Sequence, residues 1–201
     1  MIKKKDIMMK RSILILSGIV TGTLLLSSCT NVAMSGASAV YNRNSLQSSF
    51  TDPYTGMQVD HALFWGSNRF KESNISIDTF NGEVLLTGQI PTASLQKEAT
   101  ELASKVRGVD HVYNMTKRTN PISALTHASD TWITAKIKSQ LIANNDIDPT
   151  KIKVVTEDGT VFLMGLVLPE QATIAIDIAR STDGVENVVT LFSYIRISKK
   201  L

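Results

Sequence analysis

Ile75-Ser-Ile-Asp-Thr-Phe-Asn-Gly82-Glu-Val84-Leu-Leu86-Thr-Gly88 and Ile152-Lys-Val-Val-Thr-Glu-Asp-Gly159-Thr-Val161-Phe-Leu163-Met-Gly165 are two copies of one stretch, 77 residues apart without a gap. Each copy has apolar residues at alternate positions on both sides of Asn-Gly or Asp-Gly (Ile75, Ile77, Val84 and Leu86; Ile152, Val154, Val161 and Leu163), and these turn pairs mark a tight β-hairpin because they tolerate positive φ. The likeness continues downstream. Gly108-Val-Asp-His-Val-Tyr-Asn114 matches Gly184-Val-Glu-Asn-Val-Val-Thr190 at an offset of 76, one residue fewer. Two copies are too few for a solenoid, and each is long enough for a core of its own.

Working outward, each unit reads as strand, turn, strand, helix, strand. The helices after the hairpins span about Ala93 to Val106 and Pro169 to Ser181, with Pro169 suited to a first turn. Gly108 and Gly184 cap their C-terminal ends. The closing strands are Val109–Thr116 and Val185–Ile197. Another helix precedes the second hairpin, from Thr131 to about Asn144, with Ser129 or Asp130 as its cap. Its counterpart in the first unit, around Val59 to Phe70, is shorter and interrupted by Gly66.

The chain's N-terminal end reads differently. Lys3 to Arg11 is basic, Ile13 to Leu26 is apolar but broken by small residues, and Leu26-Ser27-Ser28-Cys29 follows at once. A membrane-spanning helix needs about 20 mostly apolar residues, so this is a signal peptide over residues 1–28. A start at Met8 or Met9 leaves that reading unchanged. Cys29 is the only cysteine, and its setting resembles a bacterial lipobox, where the thiol is acylated and the residue becomes the new N-terminus. Thr30 at the following position implies the outer membrane, by resemblance to lipoprotein sorting in Gram-negative bacteria. Residues 29–52, rich in Ser, Asn, Ala and Gly, read as a tether with a typical span of roughly 25–30 Å.

Composition limits the partners. The net charge of +3 comes from the leader. Removing Lys3, Lys4, Lys5, Lys10, Arg11 and Asp6 from 21 basic and 18 acidic residues leaves 16 and 17, a mature net charge of −1. Nothing in that balance points to nucleic acid. His61, His111 and His127 are widely spaced, no thiolate pair exists, and no local pattern marks a nucleophile. The chain is therefore expected to be neither an enzyme nor a metal or cofactor protein.

The hairpin pattern Gly-x-Val-x-Leu-x-Gly (Gly82 to Gly88, Gly159 to Gly165), with Gly-Val-x-x-Val before the last strand, resembles the BON domain. A lipobox followed by two such units resembles the dual-BON outer-membrane lipoproteins. The resemblance implies an α+β fold of two tandem BON domains, over residues 53–119 and 120–201. Each would be a small three-stranded mixed sheet packed on helices in αββαβ order, with the first helix of the first domain short. It further implies a lipid-anchored, non-catalytic protein on the periplasmic face of the outer membrane. Such a protein would bind anionic phospholipid of the phosphatidylglycerol kind through its second domain. It would support envelope integrity, with a place at the division site. Envelope assembly or division proteins are the alternative partners.

The residues around Trp132 can be read on their own. At about 100° per residue, Ile133, Ile137 and Leu141 form a core stripe, and Trp132 and Ile142 fall on the far side, flanked by Lys136 and Lys138. An outward Trp between lysines suits a lipid interface, with the indole at headgroup level. The other reading packs Trp132 against the first unit or against its own loops. The resemblance favours the lipid site and supports Gly165 and Leu166 as part of it, so the expected site is Trp132, Ile133, Lys136, Lys138, Ile142, Gly165 and Leu166. The second strand of the second hairpin is also apolar on both faces, through Phe162, Met164 and Leu166. Either the first unit covers that face, or Leu166 joins Trp132 and Ile142 in an apolar patch.

Overall fold

The computed structural model describes residues 52–65, 68–119 and 124–195; the leader, Cys29, and the tether up to residue 51 lie outside the described residues. In chain order the elements are α1 (52–64), β1 (Asn74–Phe80), β2 (Glu83–Gln89), α2 (Ala93–Ser104), β3 (His111–Asn114), α3 (Ala124–Ala143), β4 (Ile152–Glu157), β5 (Thr160–Val167), α4 (Pro169–Arg180) and β6 (Asn187–Tyr194). A 3₁₀ turn, Pro149–Lys151, leads into β4. No described helix is long and apolar enough to cross a membrane.

Each unit folds as αββαβ with β2 or β5 in the middle of a three-stranded sheet. β1 pairs antiparallel with β2, with Ile75 opposite Gly88, and β3 runs parallel to β2, with Val112 opposite Val84. The second sheet repeats this, with Ile152 opposite Gly165 and Val188 opposite Val161. Both hairpins close through two residues at positive φ, Asn81 (49°) with Gly82 (78°) and Asp158 (49°) with Gly159 (68°). That is the mirror-image turn whose twist matches the strands.

The leading helices begin earlier than their sequence signals suggested. α1 is shorter than the 20-residue α3, as expected, but runs over 52–64 rather than 59–70; Pro53, well suited to a helix's first turn, lies in what had read as tether. α3 is already helical at Ala124, so Asp130 lies within the helix and does not cap it. Superposing Asp52 on Asp130 aligns the two helices at an offset of 78. Thr55, Val59 and Leu63 then correspond to Ile133, Ile137 and Leu141, and all six are buried. Burying an Ile or Leu side chain fully contributes about 1.5–3 kcal/mol, so this stripe anchors each helix to its sheet.

Strand alternation sets the layers. Val84 and Leu86 face α1 and α2 in one core, and Val161 and Leu163 face α3 and α4 in another. The intervening residues point the other way. Leu85 of the first sheet meets Phe162, Met164 and Leu191 of the second in a third core, with Phe80, Tyr113, Val155 and Val189 packed around it. The two sheets therefore lie face to face with their helices outside, in four layers. Polar contacts surround this seam. Lys153 pairs with Asp78 at 2.9 Å, Lys117 with Asp158 at 2.8 Å, Gln89 Nε2 donates to Glu157 Oε1 at 2.8 Å, and Ser193 Oγ donates to Glu83 Oε1 at 2.9 Å.

Candidate lipid-facing site

α3 carries the site, and its inner stripe orients it. With Ile133, Ile137 and Leu141 against the sheet, Trp132 and Ile142 turn outward and are 53% and 70% exposed. Lys136 lies one turn beyond Trp132, with its Nζ 4.8 Å from the indole centroid, a cation–π contact. The same ammonium donates to Asp183 Oδ2 at 2.7 Å, from the turn after α4. That hydrogen bond and the lysine's charge hold the Asp183 carboxyl below its usual range. Lys138 is exposed on the other flank. The outer face of α3 thus offers an indole, a branched aliphatic group and two ammonium groups.

Not every residue of the expected set shares that surface. Ile133 is 1% exposed and belongs to the core, so it holds Trp132 in place from behind and offers no lipid contact. Gly165 is buried where β5 passes close to β4, and a methyl group there would collide with the Lys151 carbonyl oxygen. Gly88 does the same beside the Asn74 carbonyl in the first unit, so this glycine belongs to the hairpin of each repeat. Leu166 is exposed, but alternation puts it on the sheet face of Phe162 and Met164, away from α3. It does not join Trp132 and Ile142. The first unit covers Phe162 and Met164, the simpler of the two readings of that strand.

Sequence reasoning missed three features. The first is Asp183, which no local pattern links to Lys136. The second is Asp130. Its Oδ2 accepts from Asp158 N–H at 2.8 Å and its Oδ1 from Gly159 N–H at 3.0 Å, clasping the hairpin turn. Asp52 makes the matching contacts to Asn81 and Gly82 at 2.8 and 3.4 Å. The third is His127, one turn before Asp130. His127, Asp130 and Glu157 each bring a potential ligand atom within 4.8 Å of the others. Their carboxylates already have partners, Asp130 in the turn amides and Glu157 Oε1 in Gln89. Burial pushes the Glu157 carboxyl up, the Gln89 hydrogen bond and His127 pull it down, and Asp130 and Asp158 raise it further.

Two αββαβ units in four layers, built on a repeated hairpin and a repeated Asp clasp, define a tandem BON protein. The BON domain family matches residues 55–120 and 129–196, and the chain belongs to that family. It is 31% identical to the outer membrane lipoprotein DolP of Haemophilus influenzae, over 86% of this chain and 92% of that protein. It is 40% identical to a 21 kDa hemolysin of Actinobacillus pleuropneumoniae over 63% of this chain, and the match spans 65% of the hemolysin's length. The osmotically-inducible protein Y of Escherichia coli is 32% identical over 65% of this chain and 63% of its own. The chain is thus a dual-BON protein of the DolP type, within a family of outer-membrane and periplasmic lipoproteins.

Proposed function

We propose that this chain is a non-catalytic lipoprotein, anchored through Cys29 to the periplasmic face of the outer membrane, whose second BON domain binds anionic phospholipid through the outer face of α3. The family resemblance adds envelope integrity, with action at the division site, as its setting. One observation carries the binding reading: Trp132 and Ile142 are open to solvent opposite the core stripe, between Lys136 and Lys138. Indole prefers the headgroup zone, and each lysine near an anionic surface contributes about 1 kcal/mol. Lys136 reaches phosphate by exchanging its bond with the exposed Asp183, and an exposed ion pair of this kind holds its partner only weakly.

The test mixes the full chain with vesicles of phosphatidylcholine, with and without phosphatidylglycerol. Binding through α3 should require the anionic lipid, fall with salt, and be lost in Trp132→Glu while the melting curve is unchanged. If Trp132→Glu binds phosphatidylglycerol vesicles as the parent does, α3 is not the site. A partner protein that engages α3 equally well without lipid would favour docking to the envelope machinery.

A further inference from the structure

α1 has an outer face that the proposed α3 site does not use. With Thr55, Val59 and Leu63 against the core, Tyr54, Met57, His61 and Trp65 fall within about 80° of one another on the opposite side, at 100° per residue. Tyr54, Met57 and Trp65 are 62%, 70% and 75% exposed, and His61 stacks on Trp65 with ring centroids 5.1 Å apart. No other residue of 52–65 falls inside this stripe, with Phe64 and Gln58 just beyond its two edges, so it carries no acid, Lys or Arg. Three of the seven large exposed apolar side chains among the described residues lie on this helix or, for Trp65, directly after its last residue. In the aligned helices Tyr54 occupies the position of Trp132.

A helix apolar on two opposite sides calls for a second partner. We propose that the outer face of α1 is a second membrane-contact surface that beds into the headgroup zone of the bilayer holding the Cys29 anchor. This inference rests on the anchor reading and is independent of lipid binding by α3. Two observations select the bilayer. α1 is the first described element after Cys29 and begins 23 residues beyond it, so an anchor at Cys29 keeps this helix within a short length of chain from the membrane. The stripe also holds Trp and Tyr, apolar rings with a polar tip of the kind that gathers at membrane–water interfaces, beside His and the apolar Met. Having no cation, it takes zwitterionic lipid as readily as anionic lipid. The four-layer fold puts α1 and α3 on opposite outer surfaces, separated by layers of about 10 Å each. A single flat membrane therefore meets one helix at a time, and lipid charge selects which one.

Trp65 and Trp132 are the chain's two tryptophans, so each can be followed alone. The full lipidated chain, its acyl groups verified by mass, is reconstituted into phosphatidylcholine vesicles with brominated acyl chains. In Trp132→Phe, the bromines should quench Trp65 emission in purely zwitterionic vesicles, and adding Met57→Glu should abolish the quenching. Unchanged Trp65 emission with full access to aqueous acrylamide overturns the proposal. Trp65 protection that appears without lipid and grows with protein concentration also overturns it, in favour of a second copy. In Trp65→Phe, added phosphatidylglycerol should bring on Trp132 quenching; a silent Trp132 alongside a quenched Trp65 sinks the α3 site and leaves α1 standing.

Discussion

Asp130 is a carboxylate buried with two backbone amides in its grasp. A turn of the Asp158–Gly159 type aims those N–H groups away from the strand ladder, and buried donors without partners are costly. Asp130→Ala leaves both unpaired and is expected to cost about 2–4 kcal/mol. At about 2–4 °C per kcal/mol for a domain of this size, the melting temperature should fall by roughly 5–15 °C. Asp52→Ala should cost less, because its contacts are more exposed and one is longer. Equal melting temperatures for Asp130→Ala and the parent would show that the clasp is dispensable. In the sequence Asp130 carries the signature of a helix cap, since an acid ahead of an apolar run looks the same whether its oxygens meet the helix's own amides or those of a hairpin. Only the recurrence of Asp52 at the matching position separates the two, and Asp52 lay in what read as tether. The hairpin glycines were legible because positive φ and the close approach of strands leave few alternatives.

At the scale of one helix, periodicity spoke clearly. The spacing of Ile133, Ile137 and Leu141 fixed which side of α3 faces the sheet, and so which side carries Trp132 and Ile142. Periodicity is silent on contacts between distant segments. Lys136 and Asp183 are 47 residues apart, and their pairing depends on how α3 packs beside the turn after α4. For the same reason Leu166 was open to misassignment: its neighbours along the strand are known from sequence, but what lies beyond its sheet face is not. The Lys136–Asp183 pair gives the element its prediction. Asp183 is an acid beside a surface proposed to meet acidic lipid, and it occupies the ammonium that would meet phosphate. Asp183→Asn should therefore bind phosphatidylglycerol vesicles a few-fold more tightly than the parent, with a steeper salt dependence and an unchanged melting temperature. Weaker binding in a liposome-flotation titration would show that Lys136 does not serve phosphate.

At the scale of the whole molecule the two repeats act through their seam. The apolar pattern on both faces of β5 announced that something covers Phe162 and Met164; that the cover is the first unit's own sheet is a long-range fact that local spacing does not encode. The polar rim of this seam contains two glutamates, Glu83 held by Ser193 and Glu157 held by Gln89. Burial is the largest influence on each and raises both above the ordinary value of 4.5, outweighing the hydrogen bonds and the nearby histidines. A glutamate raised in the folded state binds its proton more readily there than in the unfolded chain. Protonation therefore stabilises the fold: the contribution is complete below pH 4.5 and is lost as pH rises through the raised folded values. Gln at both positions keeps an oxygen for Ser193 and for Gln89 and has no charge to desolvate. The double variant Glu83→Gln with Glu157→Gln should thus melt higher than the parent at neutral pH, and the gap should close as pH falls toward about 4.5. Paired melts by circular dichroism across that range decide it, because a gap that widens on acidification would mean the ionised glutamates hold the two repeats together.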